Sequence, residues 1–438
     1  ALINEQDVTN HKIVTKSVKE HGAKILMQIL HAGRYAYSNQ AVAPSPVKAP
    51  ISPFIPKELT GDEVFKQISD IVDTAERAQM AGYDGVEIMG SEGYLINQFI
   101  VTHSNKRTDS WGGSYKNRIK FPIEIVKQVR QRTGQNFIIM FRLSMIDLIP
   151  NGSTWDEVLL LAKEIESAGA SMINTGIGWH EARIPTIATS VPRRAFSWVT
   201  KKLMGQLKIP IITSNRINTA ETAEAVLADG CADMVSMARP FLADPNFMAK
   251  VYSNKTKTIV PCIACNQACL DHTFSMKLTS CLVNPSACNE KEFSYALVPK
   301  KPKRIAVVGS GPAGLAASIT ARNRGFDVSL FEIKDSIGGQ LNLASKIPGK
   351  EEFIGLLEYY SNEVSRLGIE LRLNYAVKIG ELELFDEIII ATGVVPRDIN
   401  FEVTDKSKLA SYIDISNGSV VAGKNVAILG AGGIGFDV

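Results

Sequence analysis

From residue 22 to about 240 the apolar positions repeat one pattern: a short apolar run, a turn, then a stretch with apolar residues every three or four positions. The runs at 23–29, 85–89, 137–143, 171–175, 209–213 and 234–237 read as strands. The stretches 5–21, 61–81, 115–133, 154–168 and 219–229 carry helical spacing. Near-continuous apolar strands alternating with amphipathic helices predict a parallel sheet covered on both faces. Six such units are visible between these bounds, whereas a (β/α)8 TIM barrel has eight. The chain starts at Ala1 inside a helical pattern. The expectation is therefore a fragment of a longer protein, its first two barrel strands lying outside this sequence.

After 250 the periodicity stops and cysteines take its place, five of the six falling between Cys262 and Cys288. A basic stretch at 298–304, Val-Pro-Lys-Lys-Pro-Lys-Arg, could serve as a nuclear signal, but before an apolar strand it reads as a solvated linker. Strand–helix alternation resumes at Arg304 and again at Lys424. The expected organisation is a barrel over 1–250, a cysteine segment with linker over 251–300, a Rossmann-like domain over 301–423, and the start of a second dinucleotide domain over 424–438.

At roughly 150 residues per domain, 438 residues suit about three folding units. A composition of 45% hydrophobic and 21% charged residues is that of a globular protein. The net charge of +3 is too small to argue for nucleic acid or an anionic membrane as partner. No run approaches 18 apolar residues and the amino terminus has no signal-peptide pattern, so a soluble, cytoplasmic protein is expected. Clustered cysteines in that setting point to metal or redox chemistry rather than disulfides.

In a TIM barrel the active site sits at the carboxyl ends of the strands. The polar residues there are Gln28 and His31, Glu92 and Tyr94, Arg142, His180, Asn215 with Arg216, and Ala238 with Arg239. Amide, imidazole, phenol and guanidinium groups converging on one face suit a flat, anionic, polar-edged cofactor. Tyr94 and His180 are the candidate proton donors, because a phenol keeps its proton at neutral pH and can deliver it to a carbanion.

The cysteines read Cys262-x2-Cys265-x3-Cys269-x11-Cys281, close enough in sequence to hold a 4Fe–4S cluster. A structural zinc is the alternative, weakened because only one C-x2-C pair is present. Next, Ile305-Ala-Val-Val-Gly309-Ser-Gly311-Pro-Ala-Gly314 places G-x-G-x-x-G between a strand and a helix. Such glycines let backbone approach a pyrophosphate at the helix N-terminus. A second strand ends in Glu332, suited to a ribose hydroxyl, and a third apolar run leads to Gly393. Together these are a signal for FAD. A second fingerprint, Gly430-Ala-Gly432-Gly433-Ile-Gly435, suits NAD(P)H, and the residue that would choose between NADH and NADPH lies beyond it.

Several strings resemble old yellow enzyme-like flavin reductases: Gln28-Ile-Leu-His31-Ala-Gly-Arg34, Gly90-Ser-Glu-Gly-Tyr94-Leu-Ile-Asn97 and Asn105-x-Arg107-x-Asp109-x-Trp-Gly-Gly113. The strings Asn174-Thr-Gly-Ile-Gly-Trp-His180-Glu-Ala-Arg-Ile-Pro185 and Ser236-Met-Ala-Arg-Pro-Phe-Leu-Ala243, with the segment from Cys262 to Pro285, look like the bacterial NADPH-dependent 2,4-dienoyl-CoA reductases. The resemblance implies reduction of 2,4-dienoyl-CoA to enoyl-CoA in β-oxidation of unsaturated fatty acids. Electrons would pass from NADPH to FAD, the 4Fe–4S cluster, FMN and substrate. It implies FMN contacts from Gln28, Arg142, Arg216, Ala238 and Arg239, and protonation by Tyr94 with His180 beside it and Glu92 in support. It implies cluster ligation by Cys262, Cys265, Cys269 and Cys281, and FAD contacts from Gly309, Gly311, Gly314, Glu332, Gln340 and Gly393. Other enoate or xenobiotic reductases, amine dehydrogenases and a turnover-free redox-sensing module are the alternatives on the same scaffold.

Overall fold

The computed structural model describes residues 2–293, 301–396 and 402–437, so linker residues 298–300 lie outside the described residues. The chain packs as two units, one of residues 1–187, 193–217 and 221–237, the other of 188–192, 218–220 and 238–438.

The first unit is built on six parallel strands in sequential order: β1 (Leu26–Ile29), β2 (Gly85–Gly90), β3 (Ile138–Ile146), β4 (Met172–Ile177), β5 (Ile211–Thr213) and β6 (Met234–Val235). Register runs Leu26 to Gly85, Gly85 to Ile138, Met140 to Met172, Ile173 to Ile211 and Ile212 to Met234. Sequential, all-parallel order is the mark of consecutive β/α units of a TIM barrel. Helices α1 (Glu5–Glu20), α2 (Gly61–Met80), α3 (Leu95–Ile100), α4 (Lys120–Thr133) and α5 (Trp155–Ser167) lie between the strands or precede them. Capping boxes at Thr60 with Glu63 and at Thr154 with Glu157 fix where α2 and α5 begin. The core joins strand residues Ile88, Ile139, Phe141 and Leu143 to helix residues Ile68, Ile125 and Leu161, all at most 2% exposed.

One helix differs from its expected span. Residues 115–133 divide into a turn at Tyr115–Arg118 and α4, with Ile119 between them. Pro122 has no N–H for the carbonyl of Arg118, so a single helix cannot run through this point.

The second unit carries a four-stranded parallel sheet of β7 (Arg304–Val308), β8 (Asp327–Phe331), β9 (Glu370–Arg372) and β10 (Glu387–Ile390), in the order β9-β8-β7-β10. This 3-2-1-4 order is half of a Rossmann sheet. Helices α6 (Pro312–Asn323) and α7 (Glu352–Arg366) pack on it through Leu315, Ile319, Leu356 and Val364. Residues 426–429, expected as a further strand, form none and leave Val426, Ile428 and Leu429 exposed. A strand exists only within a ladder, and this run finds no partner strand among the described residues.

Candidate functional site

In the first unit, the strand ends bring together two hydrogen-bonded sets, Gln28–Glu87–Asn174 and Arg142–Glu92, linked by an Arg142–Glu87 ion pair at 4.0 Å. Gln28 Nε2 and Asn174 Nδ2 donate to the two oxygens of Glu87 at 2.7 and 2.6 Å. Arg142 donates through Nε and Nη2 to Glu92 Oε1 at 3.0 and 2.8 Å. An ionised carboxylate only accepts, so Glu87 turns the Gln28 amide to leave its carbonyl oxygen free. Arg216 is buried beyond β5, where Asn215 and Arg216 both take positive φ, 69° and 55°. Amides and guanidiniums in this arrangement fit an anionic, polar-edged ring such as FMN, with Gln28, Arg142 and Arg216 to hold it. Glu87 was not singled out in the sequence. A carboxylate inside the apolar run Gly85–Gly90 is the signal that would have found it.

Tyr94 caps α3 after β2, and His180 follows β4. Their side chains meet, with His180 Nε2 2.8 Å from the Tyr94 hydroxyl. Burial raises the Tyr94 pKa above its ordinary 10, the Glu92 charge adds to this, and Arg142 opposes it. The surrounding protein lowers the His180 pKa below 6.5, against the pull of Glu92. Burial thus favours the protonated phenol and the neutral imidazole; in the tautomer with its proton on Nδ1, His180 Nε2 accepts from the Tyr94 hydroxyl. Glu92 adopts φ 58°, and its carbonyl accepts from the His180 backbone N–H at 3.4 Å. The three proposed catalytic residues are therefore together.

Behind this pair lies a buried cluster that sequence reasoning did not assign. Arg34 Nη2 reaches both oxygens of Glu181 at 2.6 Å, Tyr35 donates to Glu181 at 2.9 Å, and His103 Nε2 stands 3.0 Å away. The Tyr35 ring packs edge-on against Tyr94 and His180, each centroid 6.0 Å away.

In the second unit, Cys262, Cys265, Cys269 and Cys281 line one cavity with Arg239, Asn266, Leu242 and Val283. Burial pushes the Cys262, Cys265 and Cys281 thiols up, and Arg239 opposes it at Cys262 and Cys265. Arg239 itself donates to Asn266, in the loop between Cys265 and Cys269. Ala238 and Arg239 thus belong to the unit that carries the cysteines. Among the described residues no three His, Cys, Asp or Glu side chains form a group able to hold a single metal ion.

The two glycine turns share one geometry. Gly309 and Gly430 have φ 101° and 122°. A Cβ on Gly314 would run into the Gly309 carbonyl, and one on Gly435 into the Gly430 carbonyl. Gly311 and Gly432 face open space, the cradle that an approaching pyrophosphate needs. Glu332 accepts from the Ser310 backbone N–H and hydroxyl at 2.8 and 2.6 Å. Burial alone would raise its pKa, but these bonds and that from Lys334 carry it below 4.5. Gln340 Nε2 donates to Val394 O at 3.3 Å, next to Gly393. These residues fit FAD at the first turn.

The family model for NADH:flavin oxidoreductase / NADH oxidase matches residues 1–258, and that for pyridine nucleotide-disulphide oxidoreductase matches 303–438. The metal reductase of Desulforamulus reducens is 39% identical over 450 residues, covering 100% of this chain and 67% of the relative. The NADH oxidase of Thermoanaerobacter brockii is 35% identical over 439 residues, covering 97% and 67%. A solved complex of 2-naphthoyl-CoA reductase with 2-naphthoyl-CoA is similar at TM-score 0.94 and 33% identity, covering 100% of this chain and 70% of that one. The chain thus spans about two thirds of the length of these curated relatives. FMN for the first region and FAD with NAD(P) for the second follow from the matched families. With barrel, glycine turns and matched regions falling on the same residues, the chain belongs to the NADH:flavin oxidoreductase / NADH oxidase family, as a flavin-dependent oxidoreductase of the enoate reductase type.

Proposed function

We propose that this protein reduces a conjugated enoyl thioester, 2,4-dienoyl-CoA, to enoyl-CoA at the expense of NADPH, in the cytoplasm and in the breakdown of unsaturated fatty acids. Its partner is then a small acyl-CoA, with neither nucleic acid nor membrane involved. Among the described residues no helix is long and apolar enough to cross a membrane. The observation that carries the reading is the 2.8 Å approach of His180 to the Tyr94 hydroxyl, beside the strand ends suited to FMN.

Bound FMN, FAD and a 4Fe–4S cluster would supply the electrons and the hydride. Tyr94 delivers the proton to the carbon nearer the thioester, and neutral His180 orients the phenol through its ring nitrogen. Glu92 holds Arg142 and, through its carbonyl, the His180 backbone. Gln28, Arg142 and Arg216 hold FMN; Gly309, Gly311, Gly314, Glu332, Gln340 and Gly393 hold FAD; Gly430, Gly432 and Gly435 hold NADPH. For the cluster, the fit lies in four cysteines lining one cavity. The acyl-CoA class is supported by the likeness to the 2-naphthoyl-CoA reductase.

The test is to reduce the holoenzyme photochemically without NADPH, then mix it anaerobically with 2,4-dienoyl-CoA, 2-naphthoyl-CoA or a simple enone. Rapid stoichiometric flavin reoxidation by the dienoyl thioester is expected, slowed about 10²–10⁴-fold by Tyr94→Phe. Reoxidation by the enone alone would sink the substrate assignment.

A further inference from the structure

Asp147 follows β3 immediately, past a register shift between Ser144 and Ile146 that re-aims the end of the strand. It is 3% exposed. Its Oδ1 accepts from Ser144 Oγ at 2.6 Å, Trp179 Nε1 at 2.9 Å and Asn97 Nδ2 at 3.3 Å, and its Oδ2 from the Ser153 N–H at 2.7 Å. A carboxylate with this many donors is a fixed anchor rather than a mobile base.

Two of those donors belong to the segments that carry Tyr94 and His180. Asn97 lies in α3, the helix that Tyr94 caps, and its Oδ1 accepts from the Gly93 N–H at 3.0 Å. Trp179 immediately precedes His180, and its backbone N–H donates to the Asp147 carbonyl at 2.9 Å. The indole also closes the space between the segments, since a Cβ on Gly93 would stand 2.6 Å from Trp179 Cε3. One buried oxygen therefore ties together the residue three after Tyr94 and the residue one before His180.

We propose that Asp147 is a positioning residue for the Tyr94–His180 pair, fixing their separation through Asn97 and Trp179 without touching either side chain. The inference rests on Tyr94 being the proton donor. A displacement of about 1 Å at a reacting group can cost on the order of 10²-fold in rate, so this anchor acts on turnover through geometry.

The test is a double-mutant cycle in the holoenzyme with Tyr94→Phe, Asp147→Asn and their combination. The rate measured is reoxidation of reduced flavin by 2,4-dienoyl-CoA, and flavin reduction by NADPH in the same samples monitors folding. Asp147→Asn is expected to slow reoxidation by about ten- to a hundredfold, and the double variant to be no slower than Tyr94→Phe alone. Multiplication of the two single effects would overturn the proposal, because Asp147 would then act somewhere other than through Tyr94. A Tyr94→Phe enzyme as fast as the parent would instead remove the proton-donor reading and the proposal with it. Asn97→Ala cuts only the Tyr94 arm and replaces Asp147→Asn in the cycle should that variant fail to fold. The same non-additivity with Tyr94→Phe is then expected, and additive effects overturn the proposal.

Discussion

His180 can accept the Tyr94 proton only while its ring is neutral, and its surroundings extend that state below pH 6.5. Protonating the ring removes the accepting lone pair, so the rate of substrate reduction should fall on an acid limb below 6.5. The alkaline limb should lie above 10, where Tyr94 titrates. The same shift has a consequence for stability. Folded His180 and His31 both have lowered pKa values, so as pH falls through 6.5 the unfolded chain takes up protons first. Their contribution is complete above 6.5 and is lost between 6.5 and the folded values. Urea titrations of the parent and of a His31→Asn, His180→Asn variant should diverge in this sense, and a parent gaining relative stability on acidification would refute it. Arg34 and Glu181 make a different prediction. Their side chains are 1% and 5% exposed, so Glu181→Ala strands a buried guanidinium and should cost about 3–5 kcal/mol in urea unfolding. The apolar pair Arg34→Met with Glu181→Leu should recover much of that loss.

At the level of elements, the glycine turns give the sharpest substitution. Gly314→Ala puts a methyl group onto the Gly309 carbonyl, so either the turn opens or α6 shifts. At about 1–3 kcal/mol for such overpacking, FAD retention should weaken roughly ten- to a hundredfold, read by flavin release on dilution. Gly311→Ala has open space instead and should perturb the apo fold little while weakening FAD binding. These turns were legible because G-x-G-x-x-G records a backbone need that only glycine meets. β7 and β8 matched their apolar runs, Arg304–Val308 and Asp327–Phe331, because both are buried by parallel neighbours. The run 426–429 is also apolar and forms no strand among the described residues, since pairing is a property of neighbours and not of the run. In the barrel the strand-end residues Tyr94 and His180 could be read from position alone. Glu87 stood out only as a carboxylate inside an apolar run, while Asp147 and the Arg34–Glu181 pair gave no such signal, because their partners lie 50 and 147 residues away and hydrophobic patterning carries no such long-range pairing.

For the whole molecule, the decisive feature is that the chemistry is divided. The strand-end group around Tyr94 belongs to one packed unit, while the cysteine cavity and both glycine turns belong to the other. Hydride transfer requires donor and acceptor atoms in contact, whereas single electrons pass between groups that never touch. The proposed cluster on the four cysteines would give the second unit a one-electron carrier, and its removal should then split turnover into two half-reactions that survive separately. In Cys265→Ser, the visible absorption of the cluster and the bound iron should fall. NADPH should still reduce one flavin equivalent, but NADPH-driven reduction of 2,4-dienoyl-CoA should drop by at least about 10²-fold, the scale on which losing an essential carrier separates from a mere change in fit. Photochemical reduction should then restore a single turnover, because it supplies the barrel flavin directly and Tyr94 and His180 are intact. If NADPH-driven turnover persisted in iron-free protein, the four cysteines would not lie on the electron route. Their shared cavity would then need another explanation, beginning with the pairing of Arg239 and Asn266 at its wall.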